Sequence, residues 1–207
     1  MGLFLSFEGV DGSGKTTQIE LLGEWLRSIG QKPVVAQEPG GTRVGLEIRK
    51  LLLDSSSTDL RPIPELLLYF ASRAQNLAEV IRPALEAGSV VIADRFTDAT
   101  VAYQGYGRDL GADAVRAIDA VACGGMEPDL TLWLDIDPEI GVRRALSRTS
   151  AVDESRMERE DLDFRRKVRE GYSQIHQANP KRVKRIDASG DKTQVFEAIR
   201  GEVERAL

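Results

Sequence analysis

The stretch Gly9-Val10-Asp11-Gly12-Ser13-Gly14-Lys15-Thr16 fits the spacing G-x-x-x-x-G-K-[ST], and the chemistry such spacing serves is the holding of a polyphosphate. Glycines let successive backbone N–H groups turn inward, and the loop opens into a helix N-terminus whose unpaired donors and dipole favour anions. Lys15 adds a cation and Thr16 a hydroxyl suited to a divalent metal. The apolar run 3–7 ahead of the loop and the helical spacing of Ile19, Leu22, Trp25, Leu26 and Ile29 behind it separate this from a plain Gly-rich turn. Two other groups could act on what the loop holds. Asp94 closes the continuous apolar run 89–93, the form of a buried parallel strand delivering a carboxylate at its C-terminal edge, and Arg95 follows it. Between Arg143 and Arg169 nine basic residues stand among many acids, interrupted by a Ser/Thr/Ala stretch, which reads as a solvated salt-bridged hairpin or a lid.

The elements that must position these groups alternate strand and helix. Strands are expected at 3–7, 33–36, 89–94, 129–135 and 182–187. Helices are expected after the loop, around 43–52 carrying Arg49, at 64–87 with a bend near Pro83, at 112–122, from Pro138 onward and at 191–206, with a loop and short helix through 103–107. The alternation implies an α/β fold with a central parallel sheet of about five strands and helices on both faces.

The 207 residues suit one domain with a sizeable core. A net charge of −5 provides no global positive field for nucleic acid, so any anion site is local. The single cysteine, Cys123, has no disulfide partner and reads as a small buried apolar residue. No basic leader or apolar run of membrane-spanning length appears, so the expected setting is soluble and cytoplasmic.

A phosphate cradle, a central acid and an arginine-rich insert together point to phosphoryl transfer. No Asn-Lys-x-Asp base-reading element of a GTPase is present. The one histidine, His176, sits on a charged helix, expected to be exposed, and is not placed to act as general base. A phosphate acceptor needs no such base, because its second pKa is about 6 and it is largely dianionic at neutral pH. That favours a nucleoside monophosphate.

Over nearly its whole length the chain resembles the bacterial thymidylate kinases, among the P-loop nucleoside monophosphate kinases. The likeness is carried by Phe7-Glu8-Gly9 running into the loop and Thr17, Glu38-Pro39-Gly40-Gly41-Thr42, Arg73-Ala74-Gln75, Asp94-Arg95-Phe96, Ala102-Tyr103-Gln104-Gly105 and Pro128-Asp129-Leu130-Thr131-Leu132. The resemblance implies transfer of the γ-phosphoryl of ATP to dTMP with Mg²⁺, in a P-loop kinase fold with a lid at about 147–160, and a homodimer. It assigns ATP to Gly9, Asp11, Gly12, Ser13, Gly14, Lys15, Thr16 and Thr17, with Arg143 packing on adenine, and Mg²⁺ to Thr16 and Asp94. It assigns the acceptor to Asp11, Glu38, Arg49, Tyr69, Arg73, Arg95, Thr100, Tyr103 and Gln104. Within that set Arg49 and Arg95 clamp the phosphate, Arg73 meets the thymine carbonyl, Thr100 and Gln104 read the N3 edge, and Tyr103 crowds C2′. The loop itself holds no arginine, so the cation on the transferring group is expected from the lid, Arg156 first, with Arg148 and Arg159 helping. Ala99, Gln37 and Tyr69 depart from the family pattern in the base pocket, not in the phosphate ligands. The rival readings are a kinase of another monophosphate and a non-catalytic nucleotide-binding regulator. The base pocket distinguishes the first and acceptor-dependent ADP release the second.

Overall fold

In the computed structural model, which describes residues 2–146, 156, 157 and 159–207, a five-stranded parallel sheet runs β2-β3-β1-β4-β5. The strands are β1 (Leu3–Glu8), β2 (Pro33–Gln37), β3 (Val90–Asp94), β4 (Leu130–Asp135) and β5 (Val183–Asp187). Their near-continuous apolar runs follow from burial on both faces; Leu5, Val91, Ile92 and Leu132 are wholly buried. Register places Phe7 and Gln37 on either side of Asp94, so β1, β2 and β3 end level at one edge. The chain crosses from β1 past β3 to β2, and later from β3 to the far side of β1. The topological switch therefore lies between β1 and β3, where ligands of open α/β sheets collect.

Helices α1 (Lys15–Ser28), α2 (Arg43–Leu53) and α3 (Pro62–Asn76) start on local signals: left-handed Gly14, the Thr42 side chain accepting from the Gly45 N–H, and Pro62 in the first turn. The long helix expected over 64–87 is present, but its register changes. A π-helical turn, 77–81, separates α3 from α4 (Arg82–Glu86). Pro83 has no N–H to give and its ring crowds the carbonyl four residues back, which loosens the turn before it. A second departure follows β3. The four-residue α5 (Thr97–Thr100) continues as a π-helical segment, 101–107, in place of a loop and short helix. That wide turn carries Tyr103 and Gln104. Helices α6 (Ala112–Ala122), α7 (Pro138–Leu146), α8 (Leu162–Ala178) and α9 (Lys192–Ala206) complete the chain, α8 capped by Asp161 and α9 by an Asp191/Gln194 capping box. Cys123 is buried, as expected. His176 is half-buried and not exposed, its Nδ1 2.9 Å from the Val183 carbonyl. No described helix is long and apolar enough to cross a membrane.

Candidate active site

The loop after β1 closes on itself. Lys15 Nζ donates to the carbonyls of Gly9 (2.9 Å) and Val10 (3.0 Å) and to Ser13 Oγ (3.4 Å), which uses its three donors on loop acceptors. Burial, reinforced by the nearby Arg95 charge, pulls its pKa down to about 8 against the pull of Asp11, Asp94 and Glu8. Gly12 is a true requirement of the loop: at φ 78° a Cβ there would lie 2.0 Å from the Gly141 carbonyl oxygen on α7.

Arg95 stands at the corner after β3 with φ 72°, unusual for a residue with a side chain. Two backbone N–H donors hold the corner, Arg95 N–H to Phe7 O (3.0 Å) and Phe96 N–H to the side-chain Glu8 Oε1 (2.7 Å). The guanidinium donates to Asp11 Oδ1 at 2.6 Å and to Tyr103 Oη at 3.3 Å, joining loop, corner and π segment at one point. For Asp11, burial alone would raise the pKa, but Arg95, Lys15 and Arg165 hold it below the usual range. Glu8 goes the other way. Burial and the Asp98 charge push it up to about 7, although Ser6, the Phe96 N–H and Tyr172 all donate to it.

Beyond Arg95 lies a cavity of about 240 Å³. Asp11, Glu38, Arg49, Tyr69, Arg73, Arg95, Thr100, Tyr103 and Gln104, the nine acceptor residues of the sequence analysis, all line it. The arginines converge. Burial lowers the Arg49 pKa, the Arg95 charge lowers it further, and Asp94 opposes both, as expected of two guanidiniums lining one cavity. Arg73 is fixed from every side: Nε to Glu38 Oε2 (2.5 Å), Nη2 to Phe96 O (3.1 Å) and Thr100 Oγ1 (2.9 Å), with Phe70 and Phe96 rings about it. Glu38 Oε1 is buried with no hydrogen bond within 3.5 Å among the described residues. So is Asp94 Oδ1, and Asp94 shares a separate surface cavity with Thr16. A carboxylate oxygen without a partner among the described residues, on a residue that lines the same cavity as Thr16, fits a hydrated divalent cation that takes its other ligands from phosphate and water.

The family model for thymidylate kinase matches residues 7–199. The chain belongs to the thymidylate kinase family. It is 47% identical to a thymidylate kinase of Pelobacter propionicus over 206 residues, covering 98% of this chain and 94% of that protein. It is 48% identical to one of Geobacter sp. strain M21, covering 97% and 92%. Among solved structures, a thymidylate kinase of Ehrlichia chaffeensis superposes with a TM-score of 0.80 at 30% identity, covering 98% of both chains.

The arginine-rich segment is only partly brought to the site. Arg156 donates to Leu52 O (3.1 Å) and to Glu65 Oε2 (2.6 Å), and its N–H to Leu53 O, next to Leu53 and Met157 of the cavity lining. Arg159 reaches Ser55 O, Arg143 is exposed on α7, and Arg148 lies outside the described residues. Sequence reasoning missed Arg165. It is buried, and its Nη1 lies 3.9 Å from Asp11 Oδ2. Its signal was the buried spacing Phe164, Val168, Tyr172 along α8, which puts the neighbouring Arg165 near the same face. Glu65 was missed too, although Glu65, Tyr69 and Arg73 recur every fourth residue on α3 and so share one face.

Proposed function

We propose that the chain performs the reaction its family is named for, ATP-dependent phosphorylation of dTMP to dTDP, by direct in-line transfer across the loop and the cavity described above. The observation that carries the reading is the pair of half-buried guanidiniums, Arg49 and Arg95, lining one cavity beside the polyphosphate loop. Two fork-shaped cations suit a phosphate dianion, and no side chain need remove a proton from it.

In this reading residues 9–17 hold the donor, with Arg143 at its base. Arg49 and Arg95 fix the acceptor phosphate, and Asp11 and the unpaired Glu38 Oε1 take sugar hydroxyls. Arg73, Thr100 and Gln104 meet the base, with Tyr69 and Tyr103 packing against base and sugar. Thr16 and Asp94 would hold Mg²⁺, which when bound offsets charge on the β- and γ-phosphates. Arg165, already beside Asp11, adds positive charge at the transfer point. Arg156, at the end of the stretch 147–160 read as the lid of a single domain, acts after exchanging Glu65 for the transferring group.

One assay tests this. ADP release from ATP and Mg²⁺ is expected with dTMP and to fall steeply across dUMP, dCMP, dGMP and AMP. Equal rates across the panel, or none with dTMP, would overturn the reading, and a loss under about threefold on Arg156→Ala would remove that residue from the chemistry.

A homodimer is part of the same reading. Val44, Leu46 and Leu51 of α2 and Ile63 and Leu67 of α3 are large, apolar and a third to a half exposed on two helices packed together, an apolar face suited to a second copy. Sedimentation equilibrium at micromolar protein is expected to give twice the chain mass, and a monomer there would sink the idea.

A further inference from the structure

Glu65 is wholly buried on α3, and four donor contacts converge on its carboxylate. Gln104 Nε2 lies 2.8 Å from Oε1, Arg108 Nε 3.2 Å from Oε1, Arg108 Nη2 3.2 Å from Oε2 and Arg156 Nη2 2.6 Å from Oε2. Arg108 is itself tied to Glu160 at 2.5 Å. Burial works to raise the carboxyl's pKa, but the hydrogen bonds from Gln104, Arg108 and Arg156 and the Arg108 charge hold it below the usual range. Glu65 is therefore a carboxylate, and a carboxylate only accepts.

That settles the orientation of an amide. Turned the other way, Gln104 would set its oxygen against a buried anionic oxygen, with no donor between them. With the nitrogen end of the amide held against Glu65, the end Gln104 turns to a ligand in the cavity it lines carries the carbonyl oxygen. We propose that Glu65 is the positioning residue that sets the pocket's choice of base, by locking Gln104 as an acceptor and so selecting pyrimidines that carry N–H at position 3.

The proposal rests on the reading that Gln104 meets the N3 edge. Thymine and uracil present N3–H to a carbonyl oxygen and gain a hydrogen bond. Cytosine presents an unprotonated N3, and acceptor faces acceptor. A Gln104 free to turn would donate to cytosine instead, and the discrimination would be lost. Most of the selectivity is thus repulsive in origin and located one residue away from the ligand. No contact between Glu65 and the base is required.

The experiment measures kcat/KM for dTMP, dUMP and dCMP. In Glu65→Gln, residue 65 can offer either end of its amide, so Gln104 can turn. The dTMP/dCMP ratio is expected to fall at least about tenfold while dTMP/dUMP stays within about twofold, because both of those bases carry N3–H. A structural role alone would lower all three substrates together, and that result overturns the proposal. The double swap Glu65→Gln, Gln104→Glu restores an acceptor-only group at 104 with a donor behind it. It is expected to recover the dTMP/dCMP ratio, and it decides the matter if the single variant does not fold; a swap that discriminates no better than Gln104→Leu overturns the proposal. Gln104→Leu separates the two levels. If it leaves dTMP/dCMP unmoved, Gln104 does not read the base and the underlying reading fails. If it collapses the ratio while folded Glu65→Gln keeps it, only the role of Glu65 fails.

Discussion

Replacing Lys15 with alanine is expected to lower kcat by roughly 10³-fold while changing KM for dTMP little. The lysine is the one cation inside the loop, and in the free protein it spends its donors on Gly9, Val10 and Ser13. These are intraloop bonds that a polyphosphate can replace one for one, so binding costs the ammonium no solvent reorganisation. The charge then sits where negative charge shifts during transfer, in a buried setting where one cation counts for more than it would in water. In the proposed reaction the acceptor is held by Arg49 and Arg95, which line the separate cavity, and KM for dTMP should therefore hold. A second readout comes from titration. An amine is charged below its pKa, and burial brings that of Lys15 to about 8, so kcat/KM for ATP in the native protein should decline as pH rises through about 8. Steady-state ADP release measures both. A loss of kcat under tenfold on Lys15→Ala would mean that the loop amides alone carry the donor.

How much of this is legible without coordinates depends on how local the cause is. The loop, its strand and its helix are written in contiguous residues, because glycine placement and strand or helix spacing act over a few positions. Asp94 was legible because a buried parallel strand must end at the ligand edge, and register with Phe7 and Gln37 puts it there. The π-helical segments were not, since they arise from a proline acting upstream and from packing of 101–107 against α8 and α6. Nor was the Glu65–Gln104 bond, which joins residues 39 apart and is fixed only when α3 and the π segment pack together. Arg165 lay hidden among eight other basic residues of similar appearance, and only burial on α8 distinguishes it. Conversely, spacing singled out Arg156, which the fold ties to the buried Glu65 on α3.

Arg95→Ala is expected to reduce kcat/KM for dTMP by roughly 10³-fold and to leave KM for ATP within about threefold. The guanidinium does two things at once: it faces the acceptor cavity and it neutralises Asp11 at 2.6 Å. Removing it strips a fork from the phosphate and leaves a carboxylate with only Lys15 and the more distant Arg165 to offset it, so acceptor binding meets a repulsive charge where it had an attractive one. Backbone strain does not confuse the comparison. The φ of 72° is unfavourable for any side chain with a Cβ, alanine and lysine included, and the bonds that hold the corner, from the Arg95 N–H to Phe7 O and from the Phe96 N–H to the Glu8 carboxylate, do not involve the Arg95 side chain and survive its substitution. Glycine would relax the corner and mix two effects. Arg95→Lys keeps the charge and loses the planar fork, so it should recover the Asp11 interaction but only part of kcat/KM, the remainder measuring bidentate contact with the phosphate. Should lysine restore full activity, Arg95 acts as a point charge; should alanine cost under tenfold, Arg49 alone suffices to seat the acceptor.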